Sequence, residues 1–208
     1  MTRIETHIDR YYRARTITLH GMYPEPALDL LAQLGPAGRE VTNEAAGVGS
    51  LLLGEPLTYL VMTRDDLEER APRIVDLYEN LMTALVRELY DDDLYPLPGS
   101  RGINLNYLPP GQGMEWHQDG ADVAITSSLA VQDGGANLRF FEPETGTIVN
   151  APPRRGVISF LPGRFLHRVE ASSLPRVTLI QAWTTAAHES LVSRNEEDRS
   201  SRDRYLYG

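Results

Sequence analysis

The 208-residue chain contains no cysteine and no lysine. Without thiols it has no disulfide framework, no thiolate zinc site, no iron–sulfur cluster and no cysteine nucleophile. Without lysine amines it forms no Schiff base and carries no phosphate-loop lysine. All 20 basic residues are therefore arginines. Long apolar runs are missing too: no stretch approaches the roughly 18 residues of a membrane span. The opening residues Met1-Thr2-Arg3-Ile4-Glu5-Thr6-His7 include an acid and lack the apolar run of a signal peptide. A surplus of positive charge is also absent. With 29 acids the net charge is -9 and the isoelectric point about 5.0, which counts against default binding to nucleic acid or anionic membranes. The expectation is a cytoplasmic protein with one domain over 1–208, a monomer or a homodimer, with no membrane partner.

What is present is globular. Hydrophobic residues make up 41% of the chain, and 17 glycines with 14 prolines favour many turns and short strands over a helical bundle. Residues 1–100 read as mixed support. Thr16-Ile17-Thr18-Leu19 is strand-like, and a short helix opens at Pro26 and stops at Gly35-Pro36. Residues 37–55 read as a loop, and Thr58-Tyr59-Leu60-Val61-Met62 as a buried strand. Thr63 and Asp66 have the spacing of a capping box. Ile74, Leu77, Tyr78, Leu81, Met82, Leu85 and Leu89 lie on one face of a single predicted helix, a packing element with no catalytic role. The acids Asp91-Asp92-Asp93 read as its solvated stop.

From Arg101 to about Thr185 the texture changes to short apolar runs broken by turns. Strands are expected at 103–108, 123–131, 137–141, 146–149, 157–161 and 176–184. Asp133-Gly134-Gly135 has the composition of a hairpin turn, and Glu142 to Gly146 of a second. Strands without intervening helices predict a sandwich or barrel, so the fold class is mainly β with supporting helices. Residues 186–208, with interleaved arginines and acids, form a tail or lid. No internal repeat is evident.

His117-Gln118-Asp119 is the first constellation with chemistry in it. On a strand, His117 and Asp119 point to the same side, so an imidazole and a carboxylate can take neighbouring positions on one metal ion. His167, after the turn Pro162-Gly163, is the natural third ligand. Two histidines and a carboxylate suit Fe(II) and leave positions open for further ligands. Nine residues on, Arg176 and Thr178 share a strand face, and a guanidinium beside a hydroxyl is a receptor for a carboxylate.

Residues 101–185 resemble the double-stranded β-helix (jelly-roll) core of the Fe(II)- and 2-oxoglutarate-dependent dioxygenases, especially the prolyl-4-hydroxylase-like branch. The resemblance runs in order through four parts. They are Asn106-Tyr107-Leu108-Pro109-Pro110-Gly111, then Trp116 to Asp119, then Gly134 to Pro143, then Ser159-Phe160-Leu161-Pro162 up to His167 and Arg176. It implies that His117, Asp119 and His167 hold Fe(II). It further implies that Arg176, Thr178 and Tyr107 bind the far carboxylate of the cosubstrate 2-oxoglutarate; for Tyr107 the alternative is a packing role beside Ile103 and Leu105 on one strand face. The charges of iron, Asp119, the 2-oxoglutarate dianion and Arg176 then cancel. The implied activity uses dioxygen, with ascorbate as an in vitro reductant, and hydroxylates an unactivated C–H bond. Desaturation or ring formation is open to the same chemistry.

A small molecule such as an amino acid or specialised metabolite is the expected substrate. Protein prolyl hydroxylation is an alternative, and nucleic-acid demethylation another. Against the latter, Leu105 and Ala182 stand where the demethylases resembled have an asparagine and a second arginine. A cupin-like isomerase or sensor is the alternative from another class. Candidate substrate-pocket residues are Asn104, Asn106, Glu115, Asp122, Arg139, Arg155 and Trp183. The loop 37–55 and the tail, with His188, are candidate lids. Residues 101–185 carry 7 arginines and 7 acids, so the acidity belongs to residues 1–100, and Arg154, Arg155, Arg164 and Arg168 are expected near one rim.

Overall fold

Short runs of apolar residues form the strands of two antiparallel sheets. The computed structural model describes residues 17–43, 51–53, 57–120, 123–143 and 145–185. In chain order the strands are β1 (Ile17–His20), β2 (Arg39–Asn43), β3 (Leu51–Leu53), β4 (Leu57–Met62), β5 (Leu94–Pro96), β6 (Ile103–Leu108) and β7 (Met114–Gln118). They continue as β8 (Ile125–Ala130), β9 (Leu138–Glu142), β10 (Thr147–Ala151), β11 (Val157–Pro162), β12 (His167–Val169) and β13 (Arg176–Thr185). The larger sheet runs β1-β11-β8-β13-β6-β4-β2, with β5 also paired to β13. The smaller runs β10-β9-β12-β7-β3. This is the jelly-roll expected from the sequence, and strands from the first hundred residues extend both sheets.

Two apolar cores explain the arrangement. The outer face of the larger sheet, with Ile103, Leu105, Ile125, Leu129, Val177, Leu179 and Trp183, packs on the helices. Those helices are α1 (Glu25–Leu34), α2 (Arg64–Arg70), α3 (Pro72–Leu77) and α4 (Thr83–Tyr90). Between the sheets, Leu108, Met114, Leu138, Phe140, Leu161, Phe165 and Val169 form the second core. Every residue of β11 is consequently buried. Burying one face of a sheet against helices and the other against a second sheet removes apolar area from water on both sides.

Several sequence expectations hold with adjusted bounds. The capping box at α2 forms, with the Thr63 N–H donating to Asp66 Oδ2 at 2.8 Å. Asp91 ends α4 in the left-handed region at φ 47°, consistent with the acidic run as a stop. The turn from Glu142 to Gly146 does join the hairpin β9–β10.

Other expectations change. The stretch 37–55 contains β2 and β3, and its residues 44–50 and 54–55 lie outside the described set. The single helix expected after Pro72 is interrupted by a π turn over Tyr78–Met82. The carbonyl of Tyr78 accepts a hydrogen bond from Thr83 Oγ1 at 2.8 Å, and Thr83 Oγ1 itself accepts from Trp183 Nε1 at 2.9 Å. Asp133-Gly134-Gly135 is not a hairpin turn. β8 pairs with β11 and β13, whereas β9 pairs with β10 and β12, so this glycine turn carries the chain from one sheet to the other. Gly135 has φ 90° and sits where a Cβ would lie 2.9 Å from the Pro175 carbonyl oxygen. The tight crossing thus suits glycine for two reasons.

Candidate active site

The site begins with an irregularity in β7. His117 stands opposite His167, yet Met114, three residues before His117, stands opposite Val169, only two residues after His167. One extra residue on β7 makes a β-bulge. The bulge turns both Met114, in the intersheet core, and His117, in the cavity wall, toward the inside. His117 and His167 then bring their ring centroids within 4.1 Å.

Asp119 follows β7 directly and is held by its backbone, whose N–H donates to the Gly163 carbonyl at 2.9 Å. Gly163 must approach closely to do this: a Cβ there would lie 2.6 Å from the Val123 carbonyl oxygen. His117, Asp119 and His167 each present one ligand atom, and these atoms lie within 4.8 Å of one another. They are the one such cluster among the described residues.

Both imidazoles are oriented by the main chain. His117 Nδ1 lies 2.7 Å from the Glu115 carbonyl oxygen, and His167 Nδ1 lies 2.8 Å from that of Phe165. A carbonyl only accepts, so each Nδ1 carries a proton and Nε2 is the ring nitrogen left for a further ligand. Burial, then the neighbouring His167 ring, push His117 down to about 3, against the opposing pull of the Glu115 carbonyl. His117 is therefore neutral at neutral pH, the form that binds metals.

A cavity of about 190 Å³ opens over this cluster. The triad, Asn104, Asn106, Ser128 and Arg176 are all in its wall. Arg176 is 6% exposed. Its Nη2 donates to Ser128 Oγ at 3.0 Å, its Nε is buried without a hydrogen-bond partner, and no acid among the described residues pairs with it. Burial pushes the guanidinium down to about 10, so it remains charged at neutral pH. Thr178 shares the strand face of Arg176, is fully buried, and leaves its Oγ1 unpartnered.

Tyr107 requires a correction. Side chains alternate along β6, so Asn104, Asn106 and Leu108 belong to the face that lines the cavity. Ile103, Leu105 and Tyr107 belong to the opposite face and pack in the helix-side core. A Cβ on Gly35 would meet the Tyr107 ring at 3.7 Å. Tyr107 is a packing residue. The cavity instead receives Tyr59 from β4.

Of the substrate-pocket candidates, Asn104 and Asn106 line the cavity. Trp183 is fully buried in the helix-side core. Glu115 is exposed. Arg139 is bonded to Glu170 at 2.9 Å, and Arg155 to Asp29 at 2.6 Å. The expected rim of arginines separates for the same reason: Arg168 lies over the Trp116 ring, while Arg154 borders a different cleft. Asp122 and His188 fall outside the described residues. Ser128 was legible only indirectly. Thr126-Ser127-Ser128 is an unusual polar run for a central strand, and such a run signals a lined site.

No family model matches the chain, and neither does any curated protein sequence. Its likeness is to solved structures. A 2OG-Fe(II) oxygenase-family oxidoreductase from Burkholderia pseudomallei is 13% identical with a TM-score of 0.63, over 86% of this chain and 89% of that one. The non-heme alpha-ketoglutarate-dependent epimerase SnoN from nogalamycin biosynthesis is 17% identical with a TM-score of 0.62, over 86% and 81%. A prolyl-4-hydroxylase from Pseudomonas putida is 17% identical with a TM-score of 0.58, over 86% and 96%. The chain thus has the jelly-roll fold of 2OG-Fe(II) oxygenases. Among the described residues, no helix is long and apolar enough to cross a membrane.

Proposed function

We propose that the protein is a non-haem Fe(II)- and 2-oxoglutarate-dependent dioxygenase that hydroxylates a small molecule. The observation that carries this reading is a single cavity holding a His-Asp-His cluster and a buried arginine with no acidic partner. The donor set fits the group: two imidazoles and one carboxylate suit Fe(II) and leave positions open. The unpartnered Arg176 Nε and Thr178 Oγ1 are both hydrogen-bond donors without acceptors, as a carboxylate receptor requires.

His117, Asp119 and His167 would hold the metal, and Arg176 with Thr178 would take the far carboxylate of 2-oxoglutarate. Bound iron and 2-oxoglutarate supply the oxidative chemistry, coupling decarboxylation to succinate with delivery of oxygen to a C–H bond. The protein's own part is positional. Main-chain carbonyls hold both imidazoles in the ligating orientation, and Met114, Leu138 and Leu161 wall the cavity with apolar surface that keeps water from its floor. Arg176 favours this reading over a non-oxidative metal barrel, which gains nothing from a buried unpaired cation.

The prolyl hydroxylases and SnoN among the similar structures support a peptide or small-molecule substrate. Ala182, in the cavity wall, stands where the demethylases resembled have a second arginine; the other cation of that wall is Arg101, outside that position. The test is succinate formation with Fe(II), 2-oxoglutarate, dioxygen and ascorbate, across free amino acids, polyketide-like metabolites and a proline peptide. Absence of succinate in every case, with metal bound, would refute the reading.

A further inference from the structure

We infer that Asn106 is a cosubstrate-binding residue, acting with Thr178 and Arg176 in the place where the sequence pointed to Tyr107. The inference rests on the dioxygenase reading and adds to it a residue assigned no role there.

Asn106 is 9% exposed and lines the cavity, yet its Oδ1 is buried without a hydrogen-bond partner. A buried amide left unpaired costs stability that a packed apolar side chain would not. The register places Asn106 directly opposite Thr178, and Leu108 opposite Arg176, on the adjacent strands β6 and β13. Thr178 Oγ1 and Arg176 Nε are unpartnered as well. Three unsatisfied polar groups therefore sit on one patch of sheet, Asn106 and Arg176 in the cavity wall and Thr178 on the same strand face as Arg176.

Their chemistry converges on one ligand class. Arg176 Nε–H and the Thr178 hydroxyl donate, and an amide presents either its N–H or its oxygen by rotation of its terminal torsion. With the Asn106 amide turned so that an N–H takes the place of Oδ1, a carboxylate accepts from all three at once. Leu108, on the same face and two residues from Asn106, is apolar and buried, so the polar patch is bounded. The neighbouring Tyr107 cannot share this role, because alternation commits it to the other face of the sheet.

The test is 2-oxoglutarate binding to the Co(II)-loaded protein, measured by calorimetry without turnover. Asn106→Ala should weaken binding by about 10- to 100-fold, the scale of one hydrogen bond to a charged group. Asn106→Asp, which keeps the shape and sets a carboxylate against a carboxylate, should weaken it further. Tyr107→Phe should bind as the parent does, and Co(II) affinity should be the same in all four proteins, which also reports that each is folded. Binding by Asn106→Ala and Asn106→Asp within two-fold of the parent would overturn the assignment of Asn106 alone. A parent that binds Co(II) but no 2-oxoglutarate would overturn the dioxygenase reading together with it.

Discussion

His117 and His167 face each other across β7 and β12, and each commits its Nδ1 to the carbonyl oxygen two residues before it. The two rings are thus held in the same way, each by the main chain two residues before it. No second side chain is needed to orient them. In the proposed reading, that arrangement is a metal site formed before the metal arrives.

A preformed site predicts strong coupling between metal and stability. Co(II) at 100 times its dissociation constant should stabilise the protein by about 2.7 kcal/mol, read as a rise in melting temperature and reversed by a chelator. His167→Ala or Asp119→Ala should abolish that rise, because two remaining ligands hold a divalent ion far more weakly. A full rise in either variant would remove that residue from the metal set.

Arg176 predicts a conflict between stability and function. A buried cation without an acidic partner is costly, and replacing buried charge by a similar apolar volume often stabilises by about 1–4 kcal/mol. Arg176→Met should therefore raise the denaturation midpoint of the ligand-free protein while losing 2-oxoglutarate binding. The pH dependence has a definite sign. Folding lowers the Arg176 value to about 10, so the charged form is penalised below that pH and the penalty fades only above it. The gain from Arg176→Met should be flat between about pH 6 and pH 9. A gain that grows or shrinks across that window would mean that another titrating group sets the cost.

Gly163 links the β11–β12 turn to the carboxylate. Its carbonyl accepts the Asp119 N–H, and its own N–H donates to Ala124 at 3.0 Å. Gly163→Ala would force a methyl group against the Val123 carbonyl, at an expected cost of about 1–3 kcal/mol in urea denaturation. Because the strain falls on the Asp119 anchor, Co(II) affinity should fall with stability. Unchanged metal affinity in the folded variant would show that Asp119 is positioned by other means.

That His117, Asp119, His167 and Arg176 come together was legible from strand alternation and local spacing, and the structure brings all four into one cavity wall. Of the two roles open to Tyr107, the structure supports the packing one, which the alternation rule alone did not decide. The rule says that Tyr107 and Asn106 oppose each other, but not which of them faces inward, and that depends on helices packed from residues 25–90. The β7 bulge was not legible either, since one extra residue in Glu115-Trp116 leaves no mark in the hydrophobic pattern. Asp133-Gly134-Gly135 was read correctly as a turn and wrongly as a hairpin. A glycine turn specifies local backbone, whereas the sheet that each flanking strand joins is decided by partners far along the chain.

The π turn in the long helix shows the same dependence on distant partners. Ile74 to Leu89 has an unbroken helical face in sequence, yet the structure inserts the π turn at Tyr78–Met82. Thr83 and Trp183 account for it. The Thr83 hydroxyl donates to the Tyr78 carbonyl and accepts the indole N–H, tying the irregular turn to β13, and the Tyr78 hydroxyl donates to the Ala182 carbonyl beside it. Thr83→Val keeps the volume and leaves a buried indole N–H and a carbonyl without partners. The expected loss is about 2–4 kcal/mol of stability. Trp183→Phe removes the donor, so the double variant should lose less than the two single losses combined, and a double-mutant cycle measures the coupling. Trp183 packs on the face of the sheet away from the cavity, so Co(II) affinity should remain that of the parent in all three. Additive losses would show that the hydroxyl and the indole act independently, and that the π turn has another cause.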